Sequence, residues 1–298
     1  MTRTLLLLAG ALLFTISSPL VWSASGGELK ELRVCADPDN LPFSNRKLEG
    51  FENKIAEVIA KELGAELRYF WWPHQRGLVR RVIRPGHCDV MISIPQGWDP
   101  VLSTKPYYRS GYVIAYPKER GFKITSLDDP ILKRVKIGVY VNTPPGEALA
   151  ERGLLSNMVS YSLFYDYEQD RPGKIIQDVI SGEIDVAIVW GPMAGFAVKK
   201  LNASSLELIP LQDGKDPGAV FTFQYSMGVR EGNKQLKVLL EEALDKRQVE
   251  IRKILEDYGV PLLALEAGKQ FPKVEERPGQ LIYQRFDRDD SSPPVSPR

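Results

Sequence analysis

Pro106-Tyr107-Tyr108-Arg109-Ser110-Gly111-Tyr112-Val113-Ile114-Ala115-Tyr116 is a run of aromatic and β-branched residues that ends in a charged, glycine-containing stretch over 118–121. Such a composition favours an extended strand. Its place between two separate α/β sets makes it a crossing from one lobe to another. A second run of β-formers over 220–229 matches it. A helix around 234–258 then carries Leu236, Leu239, Leu240, Leu244, Ile251, Ile254 and Leu255 largely on one face and returns the chain to the first set. Two crossings imply two lobes with a cleft between them. The expected organisation is an export segment over 1–24, a first lobe over 28–114 plus 226–262, a second over 115–225, and a tail over 263–298 that is at least partly disordered.

Working outward, the first lobe alternates strand and helix, the βαβ pattern of a mostly parallel sheet. A strand over 32–36 runs into Asp37-Pro38-Asp39-Asn40-Leu41-Pro42-Phe43-Ser44-Asn45, a loop dense in turn formers. In open α/β sheets, ligands sit at such strand C-termini. After Gly50 comes a helix with Ile55, Val58, Ile59 and Leu63 on one face, ending at Gly64. A strand over 66–70 follows, then a helix whose apolar pairs Leu78/Val79 and Val82/Ile83 recur every four residues, with Arg80, Arg81 and Arg84 on its solvated face. The second lobe reads as a strand over 135–141, a helix over 146–152, a strand over 159–164, a helix over 174–180 and a strand over 186–190.

Composition removes whole classes of function. The 298 residues hold 39 Lys+Arg and 38 Asp+Glu, so no basic excess exists for a nucleic-acid backbone. Two Cys and two His are too few for a zinc or iron–sulfur framework. No Gly-x-Ser-x-Gly, His-Glu-x-x-His or phosphate-loop string occurs, so the chain does not read as an enzyme. Neither a metal nor a cofactor is expected.

The N-terminus has the form of a signal peptide. Arg3 precedes ten apolar residues over 5–14, too few to span a bilayer, and Pro19, Ser23, Ala24 and Ser25 follow as a cleavage region. The mature chain is expected to be periplasmic, with no stable membrane insertion. In that oxidising compartment Cys35 and Cys88 can form a disulfide that closes a loop of about 50 residues and stabilises by about 3 to 4 kcal/mol. Two buried thiols are the alternative. Beyond residue 266 the chain is proline-rich, although Leu281, Ile282, Tyr283 and Phe286 are more apolar than a solvated tail requires.

Five strings, taken in order, carry a family resemblance: residues 32–44, Gln75-Arg76-Gly77, Cys88-Asp89-Val90, Thr104-Lys105-Pro106-Tyr107-Tyr108-Arg109-Ser110-Gly111-Tyr112 and Gly182-Glu183-Ile184-Asp185-Val186-Ala187-Ile188-Val189-Trp190-Gly191-Pro192. From about Leu32 to Pro261 the chain resembles the quinoprotein dehydrogenase-associated substrate-binding-type proteins, the MoxJ and XoxJ group of the family 3 extracellular solute-binding proteins. The resemblance implies an α/β fold of the periplasmic binding protein type II. It also implies a non-catalytic role in assembling or activating a PQQ-dependent methanol or alcohol dehydrogenase, which would be the partner. Amino-acid-binding members of the wider fold hold the ligand's carboxylate with an Arg and its amino group with an Asp. Here those positions fall on Gln96 and Trp190, which makes α-amino acids poor ligands. The alternative function is an ABC transporter receptor for a small solute that is not an amino acid. Some members of the wider fold are dehydratases, which leaves Glu52 and His74 as the residues a catalytic reading would use.

The residues expected near the cleft, as contacts for a partner or a small molecule, are Asp37, Asn40, Phe43, Glu52, Trp72, Gln75, Arg76, Gln96, Trp98, Tyr107, Arg109, Thr143 and Trp190. Trp72, Trp98 and Trp190 either stack on a planar ligand or fill core and interface. Thr143, before Pro144-Pro145, either caps a helix or helps to form an anion site. Arg76 and Arg109 either hold an anion or pair with Asp37 and Glu52.

Overall fold

The structure is a computed structural model, and it describes residues 29–73, 78–98, 100–162, 173–200, 202–213 and 219–267. The expected export segment and most of the tail therefore lie outside the described residues. In the first lobe, β1 (Glu31–Ala36) lies parallel between β4 (Glu66–Trp71) and β5 (Val90–Pro95). A two-residue hairpin, β2 (Asp39–Asn40) and β3 (Ser44–Asn45), follows β1. It leads into α1 (Phe51–Leu63), which stops at Gly64, whose φ of 65° suits a residue without a Cβ.

The short β6 (Leu102–Ser103) precedes the long crossing strand β7 (Tyr108–Pro117). The second lobe contains β8 (Ile137–Tyr140), α2 (Pro144–Glu151), β9 (Met158–Tyr161), α3 (Lys174–Ser181), β10 (Val186–Trp190), α4 (Gly191–Lys200) and β11 (Leu206–Pro210). The return crossing is β12 (Thr222–Val229), and α5 (Lys234–Asp257) closes the first lobe.

The order β4-β1-β5-β12-β7-β10-β8-β9 runs through both lobes as one curled sheet. It is continuous because β7 changes partners within its own length. Tyr108 to Gly111 pair with β12, whereas Tyr112 to Ala115 pair with β10 and Val113 to Pro117 with β11. Both expected crossings are present.

Apolar residues on each sheet face give each lobe its own core. Leu32, Val34, Ile92 and Met227 meet Phe51, Ile55 and Ile59 of α1 and Leu240, Leu244 and Ile251 of α5. The opposite face of that sheet buries Cys35, Cys88, Met91 and Ile94 against Leu78, Val79, Val82 and Ile83. There Cys35 and Cys88 are bonded, with Cα atoms 5.4 Å apart, which decides between the disulfide and two thiols. Residues Val79–Ile83 form a π-helical turn with Arg80, Arg81 and Arg84 exposed, so the expected solvated face is observed.

The sequence reading missed α4 and β11. Helix α4 contains Gly191, Pro192 and Gly195, poor helix formers whose helical state rests on packing, since all three are buried. In the second lobe, Ile175, Val179, Val189 and Ala194 pack on one face of the sheet and Ile137, Leu149, Ile188 and Phe221 on the other.

Candidate functional site

At the C-terminal end of the first-lobe sheet, β1 delivers Asp37, β5 delivers Ser93 near its end and Gln96 just beyond it, and the first turn of α1 delivers Glu52. Asp37 is 5% exposed, and its Oδ1 accepts the Asp39 N–H at 3.0 Å. That bond orders the hairpin carrying Asn40, whose carbonyl accepts the Phe43 N–H at 2.8 Å. Phe43 is thereby turned inward, 5.2 Å from the Phe51 ring, and it packs against cores of both lobes.

Glu52 is also buried, at 5% exposure. Burial pushes its carboxyl up to about 8, the Ser93 hydrogen bond opposes this, and the negative charge of Asp37 adds to it. Glu52 is therefore largely a neutral acid at pH 7. Ser93 Oγ lies 3.0 Å from the Tyr107 hydroxyl, which donates to the Ile92 carbonyl at 2.9 Å. One assignment of protons satisfies all three groups: Glu52 donates to Ser93, Ser93 to Tyr107, and Tyr107 to the backbone. Burial keeps the Tyr107 phenol protonated, well above its ordinary range. The indole Nε1 of Trp72 is buried with no hydrogen-bond partner among the described residues, and its ring and that of Trp98 pack on the disulfide-side core.

Trp190 ends β10 inside an aromatic group, with its ring 5.3 Å from Tyr112, 5.8 Å from Phe223 and 5.7 Å from Tyr225. Like Phe43, it touches cores of both lobes. Gln96 is held by Gln224: its backbone N–H donates to the Gln224 carbonyl at 2.8 Å, and its Oε1 accepts from Gln224 Nε2 at 2.9 Å.

One expectation needs correction. Arg109 pairs with neither Asp37 nor Glu52. Its guanidinium lies 2.6 Å from Glu266 and 3.6 Å from Asp213, and it donates to Thr222 Oγ1 at 2.8 Å. The physical reason is position: Arg109 lies on the part of β7 that pairs with β12, beside the residues that follow α5. Thr143 resolves to the capping role, since it is 1% exposed, its hydroxyl donates to the Tyr140 carbonyl at 2.6 Å, and its Oγ1 accepts the Gly146 N–H. Gln75 and Arg76, with His74, lie outside the described residues.

The structure thus brings together Asp37, Glu52 and Tyr107 as a polar floor, Phe43 and Trp190 as an apolar bridge between the lobes, and Gln96 and Arg109 at the crossing strands. Sequence reasoning missed Ser93, Tyr112, Phe223, Gln224 and Tyr225. Strict alternation along β12 was the available signal, since it sends Phe223 and Tyr225 to one face and Gln224 to the other. Two surface concavities lie apart from the floor, one of about 320 Å³ lined in part by Tyr116, Phe122 and Ile209, the other of about 200 Å³ between Arg84 and Arg230. Among the described residues no group of three or more His, Cys, Asp or Glu is placed to hold a metal ion. No helix among them is long and apolar enough to cross a membrane.

Comparison with known proteins agrees with this architecture. Residues 32–260 match the model of the bacterial extracellular solute-binding proteins, family 3. Protein MoxJ of Paracoccus denitrificans is 31% identical over 271 residues, covering 86% of this chain and 95% of the relative. Protein MoxJ of Methylorubrum extorquens is 31% identical over 246 residues, covering 78% and 81%. The crystal structure of the periplasmic binding protein XoxJ from Methylobacterium extorquens AM1 superposes with a TM-score of 0.65 at 39% identity, covering 78% of this chain and all of that one. The chain therefore belongs to the family 3 extracellular solute-binding proteins, as a MoxJ/XoxJ-type member with the two-lobed α/β fold of type II periplasmic binding proteins.

Proposed function

We propose that this chain is a non-catalytic periplasmic protein that binds a PQQ-dependent methanol or alcohol dehydrogenase and assists its assembly or activation. The observation that carries the reading is the state of the cleft. Trp190 stands at the position expected for the amino-group anchor and is packed against Tyr112, Phe223 and Tyr225. Gln96 stands at the position expected for the carboxylate anchor and is bonded to Gln224. A cleft filled in this way suits a protein partner better than a zwitterionic solute. The Cys35–Cys88 bond and the extracellular family support an exported chain and the reading of residues 1–24 as its export segment. The test is a pull-down of the mature chain against apo and PQQ-loaded dehydrogenase. Retention of either form supports the reading, and absence of binding to both overturns it.

The neutral Glu52 beside Ser93 favours a second reading, a receptor for a small uncharged solute that a donor could hold. A thermal-shift screen separates the two, because a hundredfold excess over Kd of a true solute stabilises by about 2.7 kcal/mol.

A further inference from the structure

Residues 261–266 leave the first lobe after α5 and cross both connecting strands where β7 changes partners. The Ser110 hydroxyl donates to the Pro261 carbonyl at 2.8 Å, and the Leu263 N–H donates to the Arg109 carbonyl at 2.9 Å in an isolated antiparallel bridge. On β12 the Gln224 side chain acts as a short piece of strand. Its Nε2 donates to the Glu266 carbonyl at 3.1 Å, and its Oε1 accepts the Glu266 N–H at 2.8 Å. Gln224 is 7% exposed.

Arg109 joins these contacts to the second lobe. Its guanidinium meets Glu266 at 2.6 Å, donates to the Ala264 carbonyl at 3.2 Å, and lies 3.6 Å from Asp213, beyond the end of β11. Asp213 in turn accepts the N–H groups of Phe221 and Thr222 at 2.7 and 3.1 Å, fixing the start of β12. A few residues away, Gly195 of α4 and Gly259 meet with no space for a Cβ on either. Tyr258 stacks on Phe196, with ring centroids 6.2 Å apart.

In a two-lobed binding protein, opening concentrates its backbone rotation in the few residues of the connecting strands. Here Arg109 and Ser110 on β7 and Gln224 on β12 are bonded to a third segment and, through Arg109, to the second lobe. Rotation about them would separate Arg109 from Glu266 or from Asp213. We propose that 261–266 is a clasp that holds the lobes at one angle, so that the cleft does not hinge open until the clasp is released. The inference goes beyond the choice of partner and holds for a protein or a solute in the cleft.

Spin labels on the full mature chain at Leu155→Cys in the second lobe and Val249→Cys in the first, both well exposed, report the angle as a distance. The native cysteines are bonded to each other and do not take the label. In the otherwise native chain a single narrow distance distribution is expected. In a chain also carrying Arg109→Gln and Gln224→Ala, a second population at a different distance, or a broadened one, is expected. A broad distribution in the native chain overturns the clasp. So does an unchanged narrow one in the folded variant, its fold checked by near-ultraviolet circular dichroism. Should the double variant fail to fold, Glu266→Ala takes its place, since it removes only a partly exposed partner and leaves Arg109 beside Asp213. An unchanged distribution there overturns the proposal equally.

Discussion

Gly195, on α4 of the second lobe, rests directly against the backbone of Gly259, which follows α5 of the first lobe. Main chain meets main chain at this point, and Gly259 keeps a φ of 75° in doing so. Gly195→Ala would gain helix propensity of about 1 kcal/mol, but its methyl would collide with a carbonyl that cannot swing aside. Net destabilisation of about 1 to 3 kcal/mol is expected, read as a lower midpoint in urea unfolding. A variant as stable as the parent would mean that the contact is loose.

The Cys35–Cys88 bond closes a loop spanning 53 positions between β1 and the start of β5. In the chain-entropy treatment such a loop is worth about 4 kcal/mol. Cys35→Ala/Cys88→Ala also loses some packing in an almost fully buried site, so the double variant should unfold at clearly lower denaturant than the oxidised parent. Equal midpoints for the reduced and oxidised parent would contradict the entropic assignment.

Glu52 makes stability depend on pH in an unusual sense. Its carboxyl titrates at about 8 in the fold against an ordinary 4.5, so the native state holds the extra proton between those values. Its contribution is complete below about 4.5 and is lost as pH rises towards 8, at up to about 1.4 kcal/mol per pH unit. Glu52→Gln keeps a donor for Ser93 and does not titrate. The variant should therefore gain on the parent from pH 5 to 8 and hold that gain above. A difference that moves in the opposite direction with pH would show Glu52 to be ionised in the fold.

Trp190 fills the space between the lobes with Phe223 and Tyr225. Trp190→Ala should destabilise by about 3 kcal/mol, read by thermal unfolding, and should raise hydrogen exchange in β12. Free glycine, glutamate or arginine at millimolar concentration should not raise the midpoint of the parent. A clear shift with any of them would show that the cleft still grips zwitterions.

Local chemistry made much of the fold legible. The strand over 186–190 was readable because Val186, Ile188, Val189 and Trp190 are strand formers, and α3 because Ile175/Ile176 and Val179/Ile180 repeat at helical spacing. Both crossings were readable for the same reason. Helix α4 was not, because its glycines serve a contact with the other lobe and weaken the local helix signal.

The site was legible only in part. Asp37 and Glu52 could be named from their places after β1 and at the start of α1, since a residue at a strand's C-terminus or in a helix's first turn faces the same end of the sheet. Their joining to Ser93 and Tyr107 could not, because that depends on how β5 and the approach to β7 lie together. Arg109 shows the limit most clearly. An arginine in the first crossing could be read from the chain alone, and with it the two lobes and most of their strands. Its partners, Glu266 and Asp213, come from folding, since they lie more than 100 positions away in the chain. Periodicity and turn chemistry act over a few residues and are written locally, whereas a charge pairs with whatever the packed backbone brings within about 4 Å.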